Sequence, residues 1–451
     1  MKKEIFKAYD VRGIYPSEIN ELDVYKIAQA YCEFVKLTEV VIGADARLSS
    51  PVLKKAAIKA VTDLGIKVID VGYISTDMLY FSVANYGYAG GFSLTASHNP
   101  KEYNGFKFVR EESRPISGDT GIYEIRDMAM SKEISEDVLT GEADESLIEK
   151  KDILDDYTKK IKEFADFSKF KKFKIVANPN FGVGGRAVDK ILEGMDVEVV
   201  KLNWEPDGNF PKGRPDPLIA ENREEISKRI VEEGADFGVA WDADADRCFF
   251  FTEKGEFIEG YFITALLSKI FLEKNSGAPV IRDTRLTWAI DEMVRESGGK
   301  VIPNKAGHAF IKERMRKEDA IFGGEMSAHY YFRDYFYCDN GMIPLVLMLE
   351  FLSAEGKTLS EIMNEMFWKK YFVSGEINTK VESVPDILAK AKEKYADGDL
   401  NEIDGVSIEF SDWRFNLRGS NTEPLIRLNV EAKNQELVDE KTKELLDLVK
   451  G

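Results

Sequence analysis

An alternation of short apolar runs with amphipathic helical stretches returns three times along the chain, and it limits the possible folds more than any other feature. In the first round EVVIGADA, at 39–46, has the continuous apolar character of a buried strand. VLKKAAIKAVTDLG follows, with Val52, Leu53, Ala56, Ala57, Ala60, Val61 and Leu64 at the spacing of one helical face. GIKVIDVG then reads as a strand, MLYFSVANYG as a helix and GGFSLT as a strand. Such βαβαβ order predicts a mixed, mainly parallel sheet covered by helices. A second round runs from KFKIVANP to ADFGVAWD at 235–242, and a third from PVIRDTR to DAIFGGEM. The repeat is one of organisation, with no residue-level repeat evident. After about 368 the character changes: a helix around 384–395 precedes the strands VSIEFS, WRFNLR and LIRLNVEA and a closing helix, the pattern of an α+β domain. Three similar α/β domains and a C-terminal α+β domain are therefore expected, with boundaries at 1–147, 148–249, 250–367 and 368–451.

Length and charge agree with this division. A chain of 451 residues exceeds what one hydrophobic core organises. MKKEIFKAYD lacks a signal-like apolar core, and GMIPLVLMLEFL, at 341–352, is too short to span a bilayer, so a cytoplasmic protein with no membrane partner is expected. Cys32, Cys248 and Cys338 are isolated in sequence and indicate neither a disulfide framework nor a CxxC metal site. The net charge of −18 repels nucleic acid and anionic membranes, so an anionic ligand would need a local basic pocket. The acidic run at 133–156 reads as a solvated connector at a domain boundary.

Several stretches carry chemistry. WDADADRCFFF follows an apolar strand and puts Asp242, Asp244 and Asp246 at its carboxyl end, where α/β sheets place ligands. Oxygen ligands at i, i+2 and i+4 suit Mg²⁺ or Ca²⁺. The spacing imitates an EF-hand up to Glu253, but Arg247 stands where that loop needs glycine. A metal-free acidic turn and an aspartate-nucleophile site with Asp242 attacking remain alternatives. RGSNTEPLIRL offers Arg418, Ser420, Asn421, Thr422 and Arg427 to a phosphate, with Gly419 permitting close approach, although a plain polar hairpin has the same look. GGEMSAHYYFRD carries Glu325, Ser327 and His329 at alternate positions, which an extended loop would point one way, toward sugar hydroxyls. NKAGHAFIK places Lys305 and His308 around Gly307. Near the start lie Arg12, in YDVRG, and Asp45 and Arg47, in GADARLSSP; either arginine could be a surface residue or part of a packing ion pair.

In SLTASHNPKEYNGFK, Ser97 and His98 invite comparison with a hydrolase dyad. Adjacent residues of an extended segment point to opposite sides, which argues against one activating the other. A serine near three aspartates is better suited to phosphoryl chemistry, with Mg²⁺ neutralising phosphate oxygens and Lys107 balancing the remainder.

Taken in order, YDVRG, TASHNPKEYNGFK, DADADR, GEMSAH and RGSNTEP resemble the α-D-phosphohexomutase family, in its phosphomannomutase/phosphoglucomutase branch. The resemblance spans nearly the whole chain. It implies a heart-shaped, four-domain enzyme with one loop from each domain lining a central cleft. It further implies that a phosphoryl group on Ser97 passes to a hexose phosphate, that a hexose 1,6-bisphosphate forms and turns over, and that its other phosphoryl group returns to Ser97. Asp242, Asp244 and Asp246 would hold Mg²⁺ with an oxygen of the phosphorylated Ser97. Arg12, Lys107 and His308 match positions for phosphoryl transfer or acid–base assistance. Glu325 and Ser327 match the readers of the sugar's 3- and 4-hydroxyls; Arg418, Ser420, Asn421, Thr422 and Arg427 match the grip on the non-reacting phosphate; Arg247, Lys305, Gly307 and His329 complete the substrate-binding set. Partners would be small hexose phosphates, the bisphosphate acting also as activator, and the chain a monomer or homodimer. Departures occur at Ala243, Ala328, GRPDP (213–217) and NPNFGVGG (178–185), while Met326 favours mannose and glucose phosphates over glucosamine phosphate. A phosphoglucosamine mutase, a phosphohydrolase and a sugar-phosphate binder without turnover are the alternatives.

Overall fold

A computed structural model describes residues 1–419 and 425–450. The chain forms two compact units: Met1–Phe257 with Asp334–Glu355, and Ile258–Arg333 with the chain from Gly356 on. Among the described residues no helix is long and apolar enough to cross a membrane. All three cysteines are buried, and none forms a disulfide.

Every βαβαβ segment expected from periodicity forms. In the first unit, one sheet runs Val11–Ile14, Tyr103–Arg110, Gly90–Leu94, Glu39–Ala44, Lys67–Tyr73, Ile148–Lys150. Its last four strands are parallel and its first two antiparallel to their neighbours. The helix Ser50–Thr62 buries Leu53, Ala56, Ala57, Ala60 and Val61, whereas Val52 falls off that face and is 40% exposed. Its proline, Pro51, stands in the first turn, where a missing N–H costs nothing. A second sheet orders Cys248–Phe251, Phe237–Trp241, Phe173–Asn178 and Val197–Lys201 in the same sense. The helix Ile343–Glu355 also belongs to the first unit; its residues from Ile343 to Leu349 are apolar all round and all buried.

The acidic connector is more structured than its composition suggests. Ile148–Lys150 joins the first sheet as a parallel edge strand, and Glu149 receives an ion pair from Lys67 at 2.6 Å. Exposed charges are compatible with an edge, so a boundary at 147 falls one strand early. A boundary at 249 likewise falls inside the strand Cys248–Phe251.

In the second unit, Lys300–Pro303, Pro279–Arg282 and Phe322–Gly324 are parallel, and Tyr330–Phe332 returns antiparallel. The C-terminal sheet is antiparallel throughout, centred on Trp413–Gly419 and Leu425–Ala432 and backed by the helices Val384–Lys394 and Gln435–Lys450.

A residue-level repeat does exist at the end of the central strand. After Glu39–Ala44, Asp45 Oδ1 accepts from Arg47 N at 3.0 Å and Oδ2 from Arg47 Nε at 3.0 Å. After Pro279–Arg282, Asp283 receives Arg285 in the same two bonds, both at 2.9 Å. Asn178 and Asn180 hold the matching place after Phe173–Asn178. Two short words, DAR and DTR, separated by more than two hundred residues are easily missed in sequence.

Arg47 is fully buried. Its guanidinium donates to the carbonyls of Ser97 (2.6 Å), Asn99 (2.8 Å), Pro100 (2.6 Å) and Tyr103 (2.9 Å), and so fixes the loop that follows Gly90–Leu94. Replacing one partner of such a buried pair strands the rest. Arg47→Met is expected to destabilise the protein by about 3–5 kcal/mol, read as a lower urea midpoint; a loss below about 1 kcal/mol, the range of an exposed pair, would show the clamp to be incidental.

Candidate active site

In each α/β sheet the loop between the third parallel strand and its antiparallel return strand carries the predicted chemistry. Gly90–Leu94 leads to Ser97, Phe237–Trp241 to Asp242, and Phe322–Gly324 to Glu325. These are the carboxyl ends of parallel strands, where backbone and helix geometry leave room for ligands.

In the first unit the structure brings Ser97, Lys107 and the three aspartates together. Ser97 is 2% exposed and adopts φ 49°, and its N–H donates to Thr95 Oγ1 at 2.8 Å. The left-handed turn overturns the expectation of an extended segment: Ser97 Oγ lies 3.1 Å from His98 Nδ1 as well as 3.1 Å from Asp242 Oδ2. Burial, then the charges of Arg247 and Arg12, push His98 well below its ordinary pKa, so the ring is neutral and resists protonation, and one ring nitrogen can accept a hydrogen bond.

Asp242, Asp244 and Asp246 are buried, with one carboxylate oxygen of each within 4.8 Å of the others. Asp242 Oδ2 accepts from Arg247 Nε at 2.8 Å and from Ser97, and Oδ1 accepts from Arg247 N at 3.3 Å. Engagement of both oxygens is the reverse of what an Asp242 nucleophile needs. Burial raises the Asp242 pKa to about 7 despite Arg247, with Asp246 and Asp244 adding repulsion. Asp244 Oδ2 accepts from Thr76 Oγ1 at 2.6 Å and Lys107 Nζ at 2.7 Å, while its buried Oδ1 has no hydrogen-bond partner among the described residues. Lys107 also bonds Asp246. Burial opposes the Lys107 charge, but Asp244 and Asp246 outweigh it and raise its pKa. An all-carboxylate set with an orphaned buried oxygen fits a hard divalent cation.

Neighbouring segments fix this loop. Asn180 Nδ2 donates to Trp241 O at 2.7 Å, Val183 N to Ala243 O at 3.0 Å, and Thr76 N to Asp244 O at 2.9 Å. A Cβ on Gly182 would lie 2.6 Å from Ala243 Cα, so NPNFGVGG needs glycine there. Arg12 Nη1 donates to Asn99 Oδ1 at 2.6 Å, Arg247 Nη1 to Asp216 Oδ1 at 3.2 Å, and Arg214 Nε to His98 O at 2.9 Å.

The second unit gathers another group. Glu325 N bonds His329 O at 3.0 Å and Ala328 has φ 66°, so GEMSAH is a tight hairpin turn and not an extended loop. Its polar side chains still meet: Ser327 Oγ is 3.1 Å from His329 Nδ1, which lies 3.2 Å from Glu325 Oε2. Glu325 also accepts from Gly307 N at 2.8 Å and Tyr331 OH at 2.6 Å. Burial alone would raise its pKa, but His329, then Arg285 and Tyr331, lower it to about 2 and keep it ionised. Met326 is 5% exposed, with Asn429 Nδ2 at 3.3 Å from its sulfur. His308 opens the helix His308–Glu318, its Nδ1 3.5 Å from Lys312 Nζ, and exposed Lys305 covers the Phe310 ring at 3.4 Å. Arg418 and Arg427 are direct cross-strand neighbours. Ser420, Asn421 and Thr422 lie outside the described residues.

Sequence reasoning passed over Thr76, Asp216, Arg285 and Glu376. The Asp-x-Arg repeat was the available signal for Arg285. Thr76 meets Asp244 across 168 positions and Glu376 is a lone acid in a loop, so neither left a pattern to find.

Comparison with known proteins agrees with this arrangement. Family models of phosphoglucomutase/phosphomannomutase match in order: alpha/beta/alpha domain I at residues 3–133, domain II at 155–255, domain III at 259–371 and the C-terminal domain at 376–448. A phosphomannomutase of Escherichia coli K12 is 44% identical, with 100% of both chains covered. One from Vibrio cholerae is 45% identical over 99% of this chain and 98% of its own. The crystal structure of a phosphoglucomutase/phosphomannomutase family protein from Burkholderia thailandensis is 28% identical, with TM-score 0.86 over 100% of this chain and 98% of that one. With all four domain models in sequence and full-length relatives at this identity, the chain belongs to the phosphoglucomutase/phosphomannomutase family of the α-D-phosphohexomutase superfamily.

Proposed function

We propose that the protein is a Mg²⁺-dependent phosphohexomutase that interconverts hexose 1-phosphate and hexose 6-phosphate, of mannose or glucose, through a phosphorylated Ser97. The observation that carries this reading is the buried Ser97 Oγ, 3.1 Å from Asp242 and set against three carboxylates with an orphaned oxygen. The names of the full-length relatives support the sugar class.

Asp242, Asp244 and Asp246 would hold Mg²⁺ together with an oxygen of the phosphorylated Ser97. When bound, the ion withdraws charge from the phosphoryl oxygens and makes the serine a better leaving group. In the first transfer the Ser97 Oγ–P bond breaks, a bond from phosphorus to the free sugar hydroxyl forms, and the hydroxyl proton passes to a base. Arg12, Lys107 and His308 are assigned to charge stabilisation and acid–base assistance. Arg247, Lys305, Gly307 and His329 help bind the substrate, and Glu325 and Ser327 read the sugar hydroxyls. Ionised at neutral pH, Glu325 is an acceptor for hydroxyl donors. Arg418, Ser420, Asn421, Thr422 and Arg427 grip the phosphate that is not reacting. The hexose 1,6-bisphosphate then turns over and rephosphorylates Ser97 with its other end, so one site serves both ends of the sugar. The four matched segments, 3–133, 155–255, 259–371 and 376–448, support a reading in which every domain contributes residues to the reaction.

Peptide mass analysis of the purified protein should find phosphate on Ser97, and Ser97→Ala should abolish interconversion of the 1- and 6-phosphates of mannose and of glucose. Full activity in that variant would end the reading. Thr76 orients Asp244 without being a proposed ligand itself, so Thr76→Val should weaken Mg²⁺ binding by about 10–100-fold in calorimetry. Unchanged affinity would remove Thr76 from the site's support.

A further inference from the structure

Arg418 and Arg427 face each other directly in the antiparallel pair of Trp413–Gly419 and Leu425–Ala432. Like charges at such positions repel. Glu376 relieves that repulsion: Oε2 accepts from Arg418 Nη2 at 3.0 Å and Oε1 from Arg427 Nη1 at 3.1 Å, one oxygen to each fork. Arg285 Nη1 approaches the same Oε2 at 3.6 Å. The carboxylate is fixed from below, because Ile377–Lys380 begins one residue later and pairs with Leu425–Ala432. Burial would raise the Glu376 pKa, but Arg285, then Arg418 and Arg427, lower it and keep the group ionised.

Two oxygens on one carbon, each held by a different guanidinium, use the same donors that forked arginines offer to two oxygens of a phosphate. Among the described residues, Arg285, Arg418 and Arg427 stand against the carboxylates of Glu376, Asp283 and Glu325. A phosphate dianion therefore arrives at arginines whose field is largely spent. For an enzyme that must bind a phosphate and then release it so that the bisphosphate can turn, tight retention is a liability.

We infer that Glu376 stands in for the non-reacting phosphate on Arg418 and Arg427 and sets the affinity of that subsite low enough for the bisphosphate to be let go between the two transfers. Glu376 is a positioning residue that acts through the two arginines. The inference rests on the mutase reading above and adds to it the control of phosphate release.

Glu376→Gln removes the charge at nearly constant size. Calorimetry with inorganic phosphate on the full-length protein should show binding about tenfold tighter, equivalent to about 1.4 kcal/mol. Steady-state assays with mannose 1-phosphate should show KM and kcat falling together, since a tighter grip slows the turn. Equal or weaker phosphate binding, or a raised KM, would mean that Glu376 only props the arginines and would overturn the inference. Should the glutamine variant not fold, as read by circular dichroism, Glu376→Asp withdraws the charge by one methylene and should tighten phosphate binding a few-fold; no tightening would again overturn it. A wild type that does not interconvert hexose phosphates would fail the mutase reading, whereas an active wild type with no tightening in the variants fails only the release argument.

Discussion

Three buried carboxylates with oxygens within 4.8 Å of one another are the constraint on which the first unit depends. At an effective dielectric of about 20, each ionised pair at that separation repels by at least about 3 kcal/mol. Everything adjoining the loop answers that repulsion: Arg247 on Asp242, Lys107 between Asp244 and Asp246, and the Thr76 hydroxyl on Asp244. One carboxylate oxygen of Asp244 stays unsatisfied. A site that holds this much negative charge out of water without completing its hydrogen bonds is built to receive a cation, and Ser97 stands beside it.

The fold reaches this arrangement by repeating one device. A parallel strand ends, a loop turns at its carboxyl end, and an antiparallel strand carries the chain back. In the first sheet that loop bears Ser97, in the second the aspartates, and in the third Glu325, Ser327 and His329. The neighbouring central strand ends in Asp-x-Arg in the first and third sheets. There the first arginine is spent on the backbone of the Ser97 loop, whereas the second reaches Ser327, Glu325 and Glu376. The same local geometry is thus a structural clamp in one copy and a contact to recognition residues in the other.

The strands and helices were legible because helix-covered parallel sheets need long apolar runs and one-sided helices, and both leave a period in the sequence. The metal loop and the serine loop were legible because unusual residue types crowd into short segments. What periodicity could not show was backbone direction within loops. The left-handed φ of Ser97 sets its hydroxyl against His98, and the positive φ of Ala328 closes GEMSAH into a hairpin. Nor does charge reveal pairing: the acidic stretch that reads as a connector adds Ile148–Lys150 to a sheet, held by a cross-strand ion pair that composition does not disclose. Thr76 acts on a partner 168 positions away, and Glu376 on Arg418 and Arg427, 42 and 51 positions away; such pairs exist only in the folded chain.

The central claim is that the phosphoryl group resides on Ser97 and leaves it for sugar. A single-turnover experiment tests this most directly: protein carrying radiolabelled phosphate on Ser97 is mixed with unlabelled mannose 1-phosphate in Mg²⁺, and the label is followed on protein, sugar and inorganic phosphate. The account predicts that label leaves the protein and appears in hexose 1,6-bisphosphate and then in hexose monophosphate. Label that stays on Ser97, or that is released as inorganic phosphate without passing through sugar, would contradict it.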